Sequence, residues 1–315
     1  VKGSRQTFRL ASMAVSANYS AGLVWATTMY LGFPAPPFTR ENLTRHFGFP
    51  VPPPFVTFLN ALCEDCASGE AVYNRVVDSL EWLLVSEYGD YRYQQTPPEL
   101  FPIAMTGVDG GHFGYVIHAP ELALSDYPIA RFEPMDSNGA YLLGASTFEA
   151  VETEISANMR YAQEDDWQSS PASFDWWPEV SARLARLGIV PDPSKAGRNY
   201  DDGHGKPVMP TVPEGWRYVP SSDGAGVLAP AAQFHPTFPH CLADRPNPTL
   251  VLDTALRHAA EHFRATALWL LRECYWRTWP LKTEDNIGLC RAMGDAYASL
   301  GRASLAAVVE RRIVT

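Results

Sequence analysis

The sequence predicts an α+β fold: an antiparallel sheet with packed helices, then a proline-rich segment, then a C-terminal α-helical subdomain. Three patterns predict it. Apolar residues recur at helical spacing from Thr39 to Glu87. Short β-rich segments bounded by Gly, Pro and Asp run from Leu100 to Gly144. Helical spacing returns from Asp253 to the end. Helices grouped on one side of a run of strands are the mark of α+β architecture. The pattern divides the chain into an extension (1–38), an α+β domain (39–163), a connecting region with short elements (164–248) and a helical subdomain (249–315).

Thr39 is placed to cap a short helix carrying Leu43 and Phe47 at i, i+4, and Gly48 to end it. A proline is tolerated in the first helical turn, so Pro54 can open the next helix, which puts Phe55, Phe58, Leu59 and Leu62 on one side. A third helix is expected from about Glu70 to Glu87, with Val72, Val76, Leu80, Leu83 and Leu84 as its apolar face. "LFPIAMTGV", "HFGYVIHA" and "YPIARFE" then read as strands, the first two joined by a turn at Asp109-Gly110-Gly111 with both glycines left-handed. In the second strand, Tyr115 and Ile117 should face one side and Val116 and His118 the other. Asn138-Gly139 marks a further turn before "AYLLG", and Ser146 to Glu149 forms a capping box for a helix through about Tyr161.

The connecting region holds one helix within "DWWPEVSARLARLGI" and a hairpin turning at Asp223-Gly224. Beyond it a single helix is expected from Asp253 to Trp276, with Leu256, Ala260, Phe263, Ala267 and Leu270 as its stripe. Two more helices follow, from Thr283 to Gly301 and from Arg302 to Val314. "CRAMGDAYASLGRASLAAVVERRI" resembles one tetratricopeptide unit through Met293, Gly294, Tyr297, Gly301 and Ala306. A repeat array needs several such units, so a helical hairpin packed on the Asp253–Trp276 helix is the expectation.

A net charge of −10 argues against nucleic acid and anionic membrane as partners, which require clustered Lys and Arg. Lys2, Arg5 and Arg9 before the uncharged run from Ala11 to Phe33 imitate a signal peptide, but no compact aliphatic core forms there. No run of about 18 apolar residues is present, so no membrane span and a cytoplasmic protein are expected. Five scattered cysteines do not make a disulfide framework. Cys63 and Cys66 ("CEDC") have zinc-like spacing without a second pair, and read as a helix end with one buried thiol.

The residues 39–163 resemble the SMI1/KNR4 family of the SUKH superfamily. The likeness rests on "ENLTRHFGFPVPPPFVTFLNAL", with Gly48, Pro53, Phe55, Phe58 and Leu59 at matching places. It rests also on "LFPIAMTGVDGGHFGYVIHAP", a strand, an Asp109-Gly110 turn and a strand bearing Tyr115, and on "YPIARFE…STFEAVE" as closing strand and helix. The chain departs from the family in having Val51-Pro52-Pro53-Pro54 where Leu-Pro is usual, and in a longer helical insert before the sheet. The resemblance implies a non-catalytic binding module. Many bacterial members are immunity proteins that neutralise polymorphic toxins, often nucleases, and fungal members are scaffolds in cell-wall signalling. It implies no cofactor and carries over no partner-binding residue.

The glycines of "GVDGGHFGYVIHAP" precede a strand and not a helix, so they do not form a phosphate loop. No Gly-x-Ser-x-Gly elbow is present. His258 and His262 share a helix face at i, i+4 and offer the alternative of a metal-dependent enzyme. The glutamate base that a zinc protease would place after the first histidine is missing, and Glu261 is expected to face away. His204, His235 and His240 are candidates for a third ligand. Glu164, Asp165, Asp166 and Trp167 place three acids beside an aromatic ring, a combination suited to a basic protein partner such as a nuclease toxin.

Overall fold

A computed structural model describes residues 33–86, 92–107, 110–135, 139–164, 169–195, 208, 210–237, 242, 244–279 and 283–314. Three helices come first: α1 (Arg40–Phe47), α2 (Pro53–Cys63) and α3 (Gly69–Leu80). A five-stranded antiparallel meander follows, made of β1 (Leu83–Leu84), β2 (Leu100–Met105), β3 (His112–Val116), β4 (Ile129–Phe132) and β5 (Ala140–Gly144), in the order β1-β2-β3-β4-β5. Helix α4 (Thr147–Glu164) closes this part. Then come α5 (Trp177–Ala185) and a hairpin of β6 (Trp216–Val219) and β7 (Val227–Pro230). Four helices end the chain: α6 (Pro248–Ala260), α7 (Arg264–Thr278), α8 (Thr283–Ser299) and α9 (Ala303–Val314). The α+β class read from the sequence is the one observed.

Local chemistry explains the opening elements. Thr39 accepts from the Asn42 amide while Asn42 reaches back to Thr39, a reciprocal cap for α1, and Gly48 ends the helix in the left-handed region at φ 75°. Pro53 opens α2, whose Phe55 and Phe58 are fully buried. Phe55 meets Phe47 at 5.8 Å and Tyr115 of β3 at 6.0 Å between ring centroids, so the α1–α2 pair seats on the sheet through aromatic edges.

The sheet is buried on both faces. Phe113, Tyr115 and Ile117 point into a core shared with α1 to α4. Leu100, Val116, Ala130 and Phe132 point the other way, where Val208, Ala225 and Trp276 cover them. The alternation in β3 is the one its sequence predicts. The main core is continuous from Phe33 to Val309, so residues of the connecting region and the last helices share it with the sheet.

Three elements differ from their sequence reading. Helix α3 ends at Leu80, because Glu81 turns into the left-handed region (φ 56°). Trp82 is thereby driven into the core, stacked on Phe113 at 5.2 Å, and Leu83 and Leu84 pair with Met105 and Ala104 as an edge strand. In the β2–β3 turn Gly110 is left-handed (φ 71°), as is Gly107 (φ 80°), but Gly111 is not. Gly111 is constrained by space instead, since a Cβ there would lie 2.9 Å from Thr106 Oγ1. Asp109 lies outside the described residues.

The expected helix from Asp253 to Trp276 is two helices. The break falls at Glu261 to Phe263, where His262 takes φ 71° and the Phe263 amide bonds back to the His258 carbonyl at 2.8 Å. The break resets the helical phase, which leaves Leu256 of the expected stripe 53% exposed. Helix α7 is then buried on every side, in an unbroken run from Ala265 to Tyr275 that includes Arg272 and Glu273. The pair α8 and α9 packs on α7 as a helical hairpin, with Met293, Tyr297 and Ala306 inside.

Arg272 resolves the polar content of α7. Its Nη1 donates to Glu99 Oε1 at 2.8 Å, and its Nε donates to Asp223 Oδ2 at 2.9 Å. Tyr297 of α8 donates to the same Glu99 oxygen at 2.6 Å. Burial raises the Glu99 carboxyl above its ordinary pKa, against the pull of Arg272. Burial also acts on Asp223, but there the Arg272 charge and hydrogen bonds outweigh it and the pKa is lowered. Glu273 accepts from Ser222 Oγ at 2.9 Å and from Arg277 Nε at 2.8 Å.

Two predictions follow from this interior. Arg272→Met strands Asp223 as a buried charge and should cost about 3–5 kcal/mol in urea unfolding. Burial raises the Glu99 pKa whereas Arg272 lowers that of Asp223, so Glu99→Gln should cost less than Asp223→Asn; the reverse order would contradict these opposite shifts. The second concerns acid. Burial holds His112 down to about 4 and His118 down to about 3. Folded pKa values below the unfolded value of about 6.5 mean that stability is full above that pH and is lost as pH falls toward those values. Melting temperature should therefore drop between pH 6.5 and 4.5, at up to about 1.4 kcal/mol per pH unit per imidazole. A flat profile over that range would refute it.

Candidate functional site

The stretch from Gly107 to Pro120 concentrates rings and glycines, and among its described residues the polar rings His112, Tyr115 and His118 lie in the interior. His112 Nδ1–H donates to the Gly110 carbonyl at 2.9 Å, and its Nε2 accepts from Thr96 Oγ1 at 3.1 Å. The Gly110 carbonyl can only accept, so it fixes the proton of His112 on Nδ1, and Thr96 in turn accepts from the Tyr93 amide at 3.0 Å. Tyr115 donates to Thr147 Oγ1 at 2.8 Å, and Thr147 donates to Asp126 Oδ1 at 2.7 Å. Asp126 also accepts from the Thr147 amide at 2.8 Å, so this relay pins the first turn of α4 to the sheet. His118 Nε2–H donates to the Ala225 carbonyl in the β6–β7 turn.

A surface cleft of about 470 Å³ lies between the Pro36-Pro37 segment, α2 and α5. Thr57, Asn60, Glu64, Cys66, Arg183 and Arg186 supply its polar lining. Behind it, Asp65 accepts from Arg75 Nη2 at 2.9 Å and from Arg183 Nη2 at 2.6 Å. Arg75 also lies 4.2 Å over the Trp176 ring, so a single carboxylate ties α2, α3 and α5 together. Those contacts hold the Asp65 carboxyl well below its usual range, led by the Arg75 hydrogen bond.

Both thiols of "CEDC" are buried, Cys63 at 0% and Cys66 at 9% exposure, where the sequence reading expected one. Their states diverge. Burial and then the hydrogen bond with Cys66 push Cys63 well up, while the hydrogen bond from Cys63, opposed by burial and helped by the Arg75 charge, lowers Cys66. The result is a thiol pair with its more acidic member on the cleft wall.

The structure brings His258 to His235 and Glu261, with one ligand atom of each within 4.8 Å of the others. The pair His258 and His262 is separated by the end of α6, and His262 is not in this group. Glu261, expected to face away, belongs to it because the helix has already ended at Ala260. Sequence reasoning offered His235 only as one of three spare ligands; no local pattern links a residue after β7 to the end of α6. His204 and His240 lie outside the described residues. Burial first, then the neighbouring His235, lowers the pKa of His258.

Among the acids, Glu164 ends α4, exposed, and pairs with Arg160 at 3.0 Å. Tyr161 is exposed one turn earlier. Asp165, Asp166 and Trp167 lie outside the described residues. Gly48, Pro53, Phe55, Phe58, Gly110 and Tyr115 all occupy structural places: a helix end, a helix start, a turn or the core. Among the described residues no helix is long and apolar enough to cross a membrane. The chain matches no protein-family model, and no curated protein matches it.

The thiol chemistry is directly measurable. With Cys241 replaced by Ser, a disulfide-exchange reagent at pH 8 should modify Cys66 first. Cys63 and Cys290 are pushed up by burial and Cys274 to about 11, so they should lag. Arg183→Met should slow Cys66 several-fold. Equal labelling of Cys66 and Cys274, read by mass spectrometry, would contradict the assignment.

Proposed function

We propose that this protein is a non-catalytic protein-binding module, an immunity protein that binds and neutralises a toxin domain, of the SMI1/KNR4 kind that residues 39–163 resemble. One observation carries the reading. The segment richest in chemistry-bearing side chains spends them internally: His112 on Thr96 and Gly110, Tyr115 on Thr147, His118 on Ala225. Those groups hold a sheet together and are not presented to a substrate. The order of three helices, meander and closing helix supports the resemblance.

With both sheet faces covered, the partner surface falls to the rim. The end of α4 suits a basic partner best, since Tyr161 supplies an exposed ring and Glu164 starts a run of three acids within a chain of net charge −10. Acids steer a cationic partner, and a tyrosine supplies affinity once docked. The module acts in the cytoplasm, where a nuclease toxin would meet its substrate. A regulatory scaffold without a toxin differs only in the identity of the partner.

The test is titration of the purified protein against the toxin domain encoded by a neighbouring gene, by calorimetry and by protection of growing cells. Tight binding with protection is expected. Tyr161→Ala with Glu164→Lys should weaken binding at least tenfold, about 1.4 kcal/mol, without lowering the melting temperature. Neither binding nor protection would overturn the reading, and binding insensitive to these substitutions would move the surface away from α4.

A further inference from the structure

We propose that His235, His258 and Glu261 form a binding site for one divalent transition-metal ion of the zinc class, at the elbow between α6 and α7. Two imidazoles and a carboxylate are the donor set that zinc takes in open, three-ligand sites. Their ligand atoms already lie within 4.8 Å of one another. Ligands at zinc distance stand roughly 3.3 Å apart in a tetrahedron, so closure needs about 1.5 Å of side-chain rotation. Glu261 is exposed and has the freedom to supply it.

Two further observations point the same way. His235 Nδ1 lies 2.9 Å from the Thr237 carbonyl. The Thr237 amide donates to the same nitrogen at 3.2 Å and the Thr237 hydroxyl lies 3.2 Å from it, so Thr237 occupies Nδ1 and Nε2 is the ring atom left to face a metal; the tautomer with its proton on Nδ1, bonded to the carbonyl, is the one that would ligate. The His235 amide in turn donates to Thr266 Oγ1 of α7 at 2.8 Å, which anchors the residue at its backbone. The second observation is at His258. Its Nδ1 is buried without a hydrogen-bond partner, a desolvation that no protein group offsets and that a bound cation would. The two rings stand 5.1 Å apart, and Phe263 closes one side at 4.7 Å from His235. An ion here would join the turn after β7 to the end of α6, with its remaining position open to water.

The test uses the full-length protein, stripped with a chelator and titrated with Zn²⁺ against a colorimetric zinc indicator. One ion per chain is expected. His235→Ala and His258→Ala should each weaken binding at least tenfold, and Glu261→Gln, which keeps the side-chain shape, should weaken it measurably. His262→Ala should leave binding unchanged, as should Cys63→Ser with Cys66→Ser. The Co²⁺ complex should lack a thiolate charge-transfer band. Circular dichroism checks that each variant is folded. No stoichiometric zinc, equal loss in His262→Ala, or loss confined to the cysteine variant would overturn the site. Because the readout is metal content, this result stands or falls separately from toxin binding.

Discussion

The Arg272 guanidinium is the point on which the architecture turns. It sits on a helix that is buried all round, yet it carries a fixed charge that water cannot reach. A buried cation is tolerable only when its donors are met, and here the acceptors come from distant parts of the chain. Glu99 precedes β2, and Asp223 lies in the β6–β7 turn. Apolar contact alone would let α7 slide or rotate against the sheet. Directional bonds to two separate carboxylates permit one placement. From its other side the hairpin is held by the backbone: the Ala140 amide donates to the Asp223 carbonyl at 2.7 Å, and Gly224 approaches so closely that a Cβ there would lie 1.9 Å from the Ala140 carbonyl oxygen.

Two more arginines repeat the device. Arg302, at the start of α9, donates through Nε and Nη2 to Glu121 Oε1 at 3.0 Å and through Nη2 to the Leu228 carbonyl at 2.6 Å. Arg312 reaches the Thr96 carbonyl. Thr96 is also the partner of His112, so the last helix and the β2–β3 turn are tied to one loop. The helical subdomain is thus joined to the sheet by charge-assisted bonds as well as by a shared core.

Much of this was legible in the sequence, and the exceptions have a common cause. Helix α1, the meander and the β6–β7 hairpin announce themselves through caps, turn residues and periodicity, all of which are local. The helical periodicity runs past the end of α3 because Glu81 carries none of the marks of a helix end; the burial of Trp82 decides it. The α6–α7 elbow leaves no local mark in the sequence because its left-handed residue is His262 and not glycine. The same break explains the site that was misread: i, i+4 spacing joins His258 to His262 only while the helix continues. His235 is 23 positions away from His258, and only the docking of the hairpin on α7 brings them together.

A fixed interior shapes what the surface can do. Among the described residues the rings of His112, Tyr115 and His118 are hydrogen-bonded and both faces of the sheet are covered, and chemistry stands at three rims: the end of α4, the cleft beside Cys66 and the elbow at His258. Each sits where an element ends against a neighbour held by a buried ion pair or the shared core. Such positions lose little freedom on binding, because the scaffold beneath them has already been ordered by folding. A molecule bound at such a rim would meet a surface already formed by folding. The buried side chains of Arg272, Arg302 and Arg312 lie in none of these rims, but their bonds to distant parts of the chain fix the elements beside them.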